Sequence, residues 1–382
     1  MPYGWLGPNC KHRREVAQTV IEILWPPFIV PANSSRFFRS QEVALEQPTG
    51  VIRLGWDSDD PFLYNTMFDS SLIRYDEAYC TSVVDMDRVT QLPTLDYFDE
   101  VTPYLREKAT IVDIGCGQGE FVDALRYQGW DAIGFDPVVR RREAHLHARY
   151  WEPEKDRGGD LFVMRCVLPH IPNPWSFLAK IAESSPGALV LIEFQRLEWI
   201  ITEQIWYQIS HDHVNLFSAK DFSNRYAVLA SGEFRNSEWG WVLVDPGSFR
   251  NPRPRECNHV ESIQELLRHR EGMLDGAASS SRRIAIWGGA GKGIVLGHAL
   301  RAAGVKRIAV IDADPNRWDR FLETSGIKVI SPATAQVELS RDTQVLVCNP
   351  NHLPAVQSRF GDRWQCDLPS VFGGSSGSDV IR

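Results

Sequence analysis

The stretch "IVDIGCGQGEF", Ile111 to Phe121, constrains the fold more than any other part of this chain. An apolar run containing one acid leads into three glycines at every second position, and an amphipathic stretch follows. That order reads as a strand handing over to a helix through a turn. Glycines let a turn backbone approach a ligand, and the start of a helix offers free N–H groups. Gly115, Gly117 and Gly119 are spaced G-x-G-x-G, unlike the G-x-G-x-x-G that seats a pyrophosphate on a helix N-terminus. A tight turn with packing glycines is the plain alternative.

A regular alternation surrounds this stretch. "LDYFDEVTPYL" reads as a helix, "TIVDIG" as a strand, "EFVDALRYQG" as a helix ended by Gly129, and "WDAIGFD" as the next strand. "DLFVMRCV" and "GALVLIEF" read as strands around a helix, "NPWSFLAKIAES", with Pro174 in its first turn. Strands alternating with helices predict an α/β fold with a mostly parallel sheet covered on both faces. The 382 residues suggest two or three domains.

The expected organisation has five parts. Residues 1–95 form an irregular N-terminal module or lid, and 96–247 a central Rossmann-like domain. Residues 248–280 form a linker and helix, because "DPGSFRNPRPRE" blocks regular structure and "HVESIQELLRHREGML" is amphipathic. A second, smaller Rossmann-like domain at 281–372 opens with "RIAIWGGAGKG" and continues through "RIAVIDADP" and "TQVLVCNPN". Residues 373–382 form a flexible tail.

Composition narrows the function classes. A net charge of -8 argues against a nucleic-acid partner. No apolar run reaches the roughly 20 residues of a membrane span, and "VIEILWPPFIVP" is interrupted by Pro26 and Pro27. No signal peptide is read. The 7 cysteines are scattered and contain no C-x-x-C pair, which argues against a disulfide framework and a structural zinc site. A reduced, cytoplasmic protein with no obligatory metal is the expectation.

Asp136 closes the strand "WDAIGFDP", where a carboxylate accepts hydrogen bonds from both hydroxyls of a ribose. Asp113 stands where it faces a cationic amino-acid head group. A ribose and an amino acid without a pyrophosphate point to S-adenosylmethionine. The segment resembles the first two motifs of class I methyltransferases. The resemblance makes Asp113, Gly115, Cys116, Gly117, Gly119, Asp136 and Pro137 cofactor contacts. Asp160 and Arg165 are near the cofactor by position. His170 stands in "VLPHIPNP", where many such enzymes write a leucine, an acid and a histidine; Pro169 replaces the acid. His170 is read as a turn-capping residue or a substrate contact, and Tyr150 and Trp151 as rings stacked on the adenine or simply packed.

"QISHDHVNLFS", Gln208 to Ser218, places two histidines around an acid. In an extended segment His211 and His213 share one side. A metal pair, a structural pair and a general base all remain open on the residues alone. The stretch is similar to "YHEHLSYFS" of the three-domain sugar C-methyltransferases, which act on nucleotide-linked keto-deoxysugars. The resemblance implies that His213 removes a proton beside the sugar ketone. Asp212 and His211 match the family's glutamate and first histidine, while Ser210 replaces its tyrosine. "FDSSLIRYDEAYCTS" resembles the segment leading into the methyltransferase domain, which places Tyr75 and Tyr79 in a lid over the cofactor.

"WGGAGKGIVLGHAL", "IDADPNR" and "ISPATA" resemble the C-terminal domain of the same family, and "NPNH", with Asn351 and His352, falls where the family writes Trp-Asn-His. "GGAGKG" is not a P-loop, since Gly293 follows Lys292. By resemblance, Gly289 and Lys292 line the substrate side, where backbone N–H groups hold a nucleotide-sugar phosphate. A dinucleotide site and a structural turn are the alternatives. One departure is large: the family begins with a four-cysteine zinc module, and this chain has only Cys10 before Cys80. The expected activity is C-methylation of a small nucleotide-linked keto-deoxysugar in natural-product biosynthesis. O- or N-methylation of another acceptor is the alternative, followed by a non-catalytic cofactor-binding regulator.

Overall fold

A computed structural model describes residues 21–57, 60–76, 78–79, 97–251 and 259–372. The expected flexible tail lies outside these residues. The central sheet has seven strands: β1 Thr110–Ile114, β2 Asp131–Phe135, β3 Leu146–His147, β4 Leu161–Arg165, β5 Leu189–Gln195, β6 Ala227–Phe234 and β7 Trp239–Asp245. Their order is β6-β7-β5-β4-β1-β2-β3. β1 to β5 are mutually parallel, while β7 runs antiparallel to β5 and β6 antiparallel to β7.

Alternation along the strands decides which helix covers which face. Ile111, Leu161, Val163 and Leu191 pack with Phe121, Val122 and Leu125 of α1, Glu120–Tyr127. Val112, Ile114, Phe162, Met164 and Ile192 pack on the other face with Trp175, Leu178 and Ile181 of α2, Pro174–Ser184. Both faces are covered, so β1 is buried along its whole length and reads as an apolar run. The strand order turns around between β1 and β4. Such a switch point opens a crevice at the carboxyl ends of the strands.

The expected helix "LDYFDEVTPYL" yields a single helical turn, Phe98–Val101, followed by a 3-10 turn at Thr102–Tyr104. Pro103 brings no N–H and crowds the preceding turn, which ends the helix there.

A second sheet is entirely parallel: β8 Ile284–Trp287, β9 Ile308–Ile311, β10 Val329–Ile330, β11 Gln344–Val347 and β12 Gln365–Asp367, in the order β10-β9-β8-β11-β12. The long helix α3, Val260–Ser279, precedes it, and α4, Lys292–Ala302, follows β8. The N-terminal segment is threaded into both units. Asp60–Asn65 pairs with Asn215–Leu216 of the central unit, and Phe37–Phe38 pairs with Phe321–Leu322 of the C-terminal unit. One apolar core runs through Val30, Phe37, Leu54, Ile263, Ile294 and Leu322.

α4 leaves β8 through a very close turn. A Cβ on Gly293 would stand 1.8 Å from the carbonyl oxygen of Gly288, which is backbone and cannot swing aside. Gly293→Ala is therefore expected to cost about 3 kcal/mol or more of stability, the range of overpacked core sites. Urea denaturation of the pair measures it; a midpoint equal to that of the wild type would contradict this packing.

Candidate active site

The glycine turn after β1 holds Gly115, Gly117 and Gly119 at φ of 76, 60 and 89°. These values fall in the left-handed region, where a side chain is strained. A Cβ on Gly115 would also meet Val167 Cγ2 at 2.3 Å. The Gly115 N–H donates to the Phe135 carbonyl at 2.8 Å, tying the turn to the end of β2. Cys116 is buried, with its sulfur side packed against Gly134. Asp136 follows β2, just before Pro137. Its Oδ2 accepts from the Gly117 N–H at 3.0 Å and its Oδ1 from the Val138 N–H at 2.8 Å. Burial nevertheless pushes the Asp136 carboxyl up to about 6.

On the α1 face the apolar rows of the sheet turn polar at their carboxyl ends. Asp113, Arg165 and Glu193 continue the rows that begin with Ile111, Leu161 and Leu191, and Arg165 stands directly across from Glu193. Asp113 is 1% exposed, and its Oδ1 has no hydrogen-bond partner among the described residues. Burial raises its pKa to about 7 against the pull of Arg165. Arg165 Nε donates to Glu193 Oε1 at 2.9 Å, and its guanidinium lies 4.5 Å from the centre of the Phe121 ring.

The "SHDH" bend gathers a second group. His213 packs edge-on against His170, with ring centres 4.4 Å apart. Its ring nitrogens have no hydrogen bond among the described residues. Burial, then the neighbouring His170 and Lys292, push its pKa down to about 4 against the pull of Asp212. His170 Nδ1 lies 2.7 Å from the Asp212 carbonyl oxygen. A carbonyl only accepts, so Nδ1 carries the hydrogen.

The Asp212 carboxylate points elsewhere. It accepts from Ser34 N–H at 3.1 Å, Ser34 Oγ at 2.9 Å and Ser210 Oγ at 2.7 Å. Burial works to raise Asp212, but His213, His170 and the two serines outweigh it and hold the carboxyl low. Tyr79 lies against Tyr75 at 5.1 Å. Burial raises the Tyr79 phenol, and the charges of Asp212 and Asp136 raise it further.

Other expected residues take different positions. His211 does not share a side with His213. It is completely buried in the N-terminal module, where Nε2 accepts from the Asp69 N–H at 3.2 Å and Nδ1 lies 3.3 Å from Asn65 Nδ2. Asp160 stands at the amino end of β4, the opposite edge of the sheet, bound to Arg106 and the Thr110 N–H. Trp151 is a core residue, edge-on to Phe162 at 5.1 Å, and is not free to stack on an adenine.

The "GGAGKG" N–H groups expected to hold a phosphate are bonded within the protein. Gly289 donates to Asp312 Oδ2 at 2.6 Å, Gly291 to the Ser34 carbonyl at 2.7 Å and Gly293 to the Ala290 carbonyl at 2.9 Å. Lys292 Nζ donates to Glu238 Oε1 at 2.7 Å, and Glu238 Oε2 accepts from Asn349 at 2.9 Å and Asn351 at 3.1 Å. Lys292 and Asn351 thus bind the β6–β7 turn across the unit boundary. His352 ends the 3-10 turn Pro350–His352, its N–H bonded to the Asn349 carbonyl. Ser34, Glu193, Glu238 and Asn349 were not singled out in the sequence. Only Glu193 carried a signal there, as a lone carboxylate inside the apolar strand "LVLIEFQ".

Residues 86–227 match a family model described as a methyltransferase domain. None of the curated proteins matches the chain. Among solved structures, an S-adenosylmethionine-dependent methyltransferase of Methanosarcina mazei aligns at 16% identity over 38% of this chain and 95% of its own, with a TM-score of 0.29. The glycopeptide N-methyltransferase MtfA aligns at 10% identity over 39% and 88%, with a TM-score of 0.30. Human N-acetylserotonin methyltransferase, in complex with S-adenosylmethionine, aligns at 15% identity over 39% and 51%, with a TM-score of 0.28.

The family match, on a glycine turn and paired acids at the switch point, makes this an S-adenosylmethionine-dependent methyltransferase. The residues fit the cofactor: Asp113 offers a buried, unbonded oxygen for an ammonium, Asp136 a carboxylate for ribose hydroxyls, and Arg165 a guanidinium beside Asp113. A ribose held by Asp136 and an ammonium held by Asp113 each need an ionised carboxylate, and the resting values of about 6 and about 7 bracket the pH window. Affinity for S-adenosylhomocysteine is expected to be full at pH 7.5 and to fall as pH drops through 6. Asp136→Asn should weaken binding about 10- to 100-fold, as for lost hydrogen bonds to a charged group. Calorimetric titration at both pH values checks this, and equal affinities at pH 7.5 and 5 would remove Asp136 from the ribose site.

Proposed function

We propose that the chain methylates a carbon beside the ketone of a nucleotide-linked keto-deoxysugar, in a cleft between the central unit, 96–247, and the C-terminal unit, 281–372. The observation that carries this reading is the His213 imidazole: it makes no hydrogen bond among the described residues, stands edge-on to His170 at 4.4 Å, and is held below its ordinary pKa chiefly by burial. The bound cofactor supplies a methyl group made electrophilic by its sulfonium. A ketone-adjacent carbon becomes a nucleophile only after losing a proton, and a neutral imidazole accepts one. His170, its Nδ1–H anchored on the Asp212 carbonyl, holds the His213 ring edge-on. As the proton leaves, negative charge gathers on the ketone oxygen. Lys292, held by Glu238 at 2.7 Å, is the cation whose field already reaches His213 and suits that charge.

A pKa of about 4 also makes His213 a weak base. That favours a second reading, methylation of a hydroxyl or amine whose proton departs late.

The test uses S-adenosylmethionine carrying a carbon-13 methyl group and a panel of nucleotide-linked 4-keto sugars, read by NMR. A methyl signal on carbon supports the first reading; one on oxygen or nitrogen replaces it with the second. His213→Gln should lower turnover about 100-fold or more while leaving affinity for S-adenosylhomocysteine unchanged. The base form persists above its folded pKa, so turnover controlled by His213 should stay level from pH 8 to 6 and fall only toward 4. At saturating S-adenosylmethionine, which removes the effect of Asp136 on affinity, a fall centred near 6.5, the value of a free imidazole, would show that His213 is not held as described.

A further inference from the structure

We propose that Glu193 is a positioning residue for the cofactor's amino-acid carboxylate, acting through Arg165. The inference rests on the cofactor assignment and is independent of the acceptor. Glu193 is 3% exposed on β5, following Leu189 and Leu191 in the row on the α1 face. A carboxyl group buried on a strand is costly unless it serves a bond. Among the described residues its bond is to Arg165 Nε, at one end of the guanidinium.

The remaining geometry concerns what Arg165 is held to do. Its terminal nitrogens make no hydrogen bond among the described residues, and no ion pair there joins it to Asp113. Its guanidinium carbon lies over the Phe121 ring at the start of α1, 4.5 Å from the ring centre. Asp113, on the neighbouring strand, keeps Oδ1 buried and unbonded within the field of Arg165. A guanidinium with free ends beside an unbonded carboxyl group is complementary to a ligand carrying both an ammonium and a carboxylate. Phe121 supports the guanidinium and the Glu193 bond to Nε restricts its rotation, which leaves both terminal nitrogens to act together as a fork. Without the Nε anchor, the long side chain recovers its rotamers and must be ordered again when the ligand binds.

Burial pushes the Glu193 carboxyl up to about 8, with Arg235 pulling it the other way. In either protonation state a carboxyl oxygen accepts from the Arg165 Nε–H, and a carboxamide keeps that oxygen.

The experiment compares two ligands by calorimetric titration of the full chain: S-adenosylhomocysteine and its decarboxylated analogue, which keeps the adenosine, the sulfur and the amine. Glu193→Ala is expected to weaken S-adenosylhomocysteine about 10-fold and the decarboxylated analogue by less than about twofold. Glu193→Gln is expected to restore most of the lost affinity, since it keeps an oxygen for Nε. Should Glu193→Ala fail to fold, Glu193→Asp withdraws the acceptor by one methylene and should show the same selective loss. Equal weakening of both ligands, or no weakening of S-adenosylhomocysteine, overturns the proposal. A wild-type chain that binds neither ligand overturns the cofactor assignment as well, so the two failures are distinguishable.

Discussion

The contact between Ser34 and Asp212 ties the three parts of the chain together. Asp212 takes both the N–H and the hydroxyl of Ser34, while its own carbonyl orients His170 on the central unit. The carbonyl of Ser34 in turn accepts the Gly291 N–H of the C-terminal unit. A carboxylate buried this deeply is stable only when its bonds outweigh desolvation, and here the Ser34 N–H and the hydroxyls of Ser34 and Ser210 supply them. The cluster that holds His213 therefore depends on an N-terminal segment about 180 residues distant in sequence. The Lys292–Glu238 bond, backed by Asn349 and Asn351, is a second connection between units, on the side of the β6–β7 turn.

The two parallel sheets use the same local device and put it to different ends. In each, an acid at the end of the second strand accepts an N–H from the glycine turn after the first: Asp136 from Gly117, and Asp312 from Gly289. Asp312 is also paired with Arg317 at 3.1 Å, so its charge is compensated within the protein. Asp136 has backbone donors alone, and burial leaves it near 6. The ligand-ready acid is the one the protein has not neutralised. The second glycine turn is further occupied by Ser34, whose carbonyl accepts the Gly291 N–H.

Several residues grouped by adjacency in sequence separate in space. His211 and His213 are two residues apart, yet a bend sends the first into the N-terminal module and the second toward His170. An argument from strand alternation fails there because the segment is not extended. Asp160 and Arg165 sit at opposite ends of one strand, on opposite edges of the sheet, for the reverse reason: β4 is extended throughout. Glu193 was visible as a charge within an apolar run, but its partner was not, since register across β4 and β5 sets Arg165 opposite it.

The sequence by itself determined the α/β class, the central parallel strands and the glycine turn with Asp113 and Asp136. These depend on local periodicity and on short strand–turn–helix geometry, which neighbouring residues encode. Tertiary structure decided how the acids are partnered, how His170, His211 and His213 are placed, and where Lys292 and Asn351 point. Those outcomes depend on burial and on partners far away in the chain: Ser34 for Asp212, Arg317 for Asp312, Glu238 for Lys292. Local sequence specifies how a segment is shaped; the charge state and reach of its side chains are fixed only when distant segments close around them.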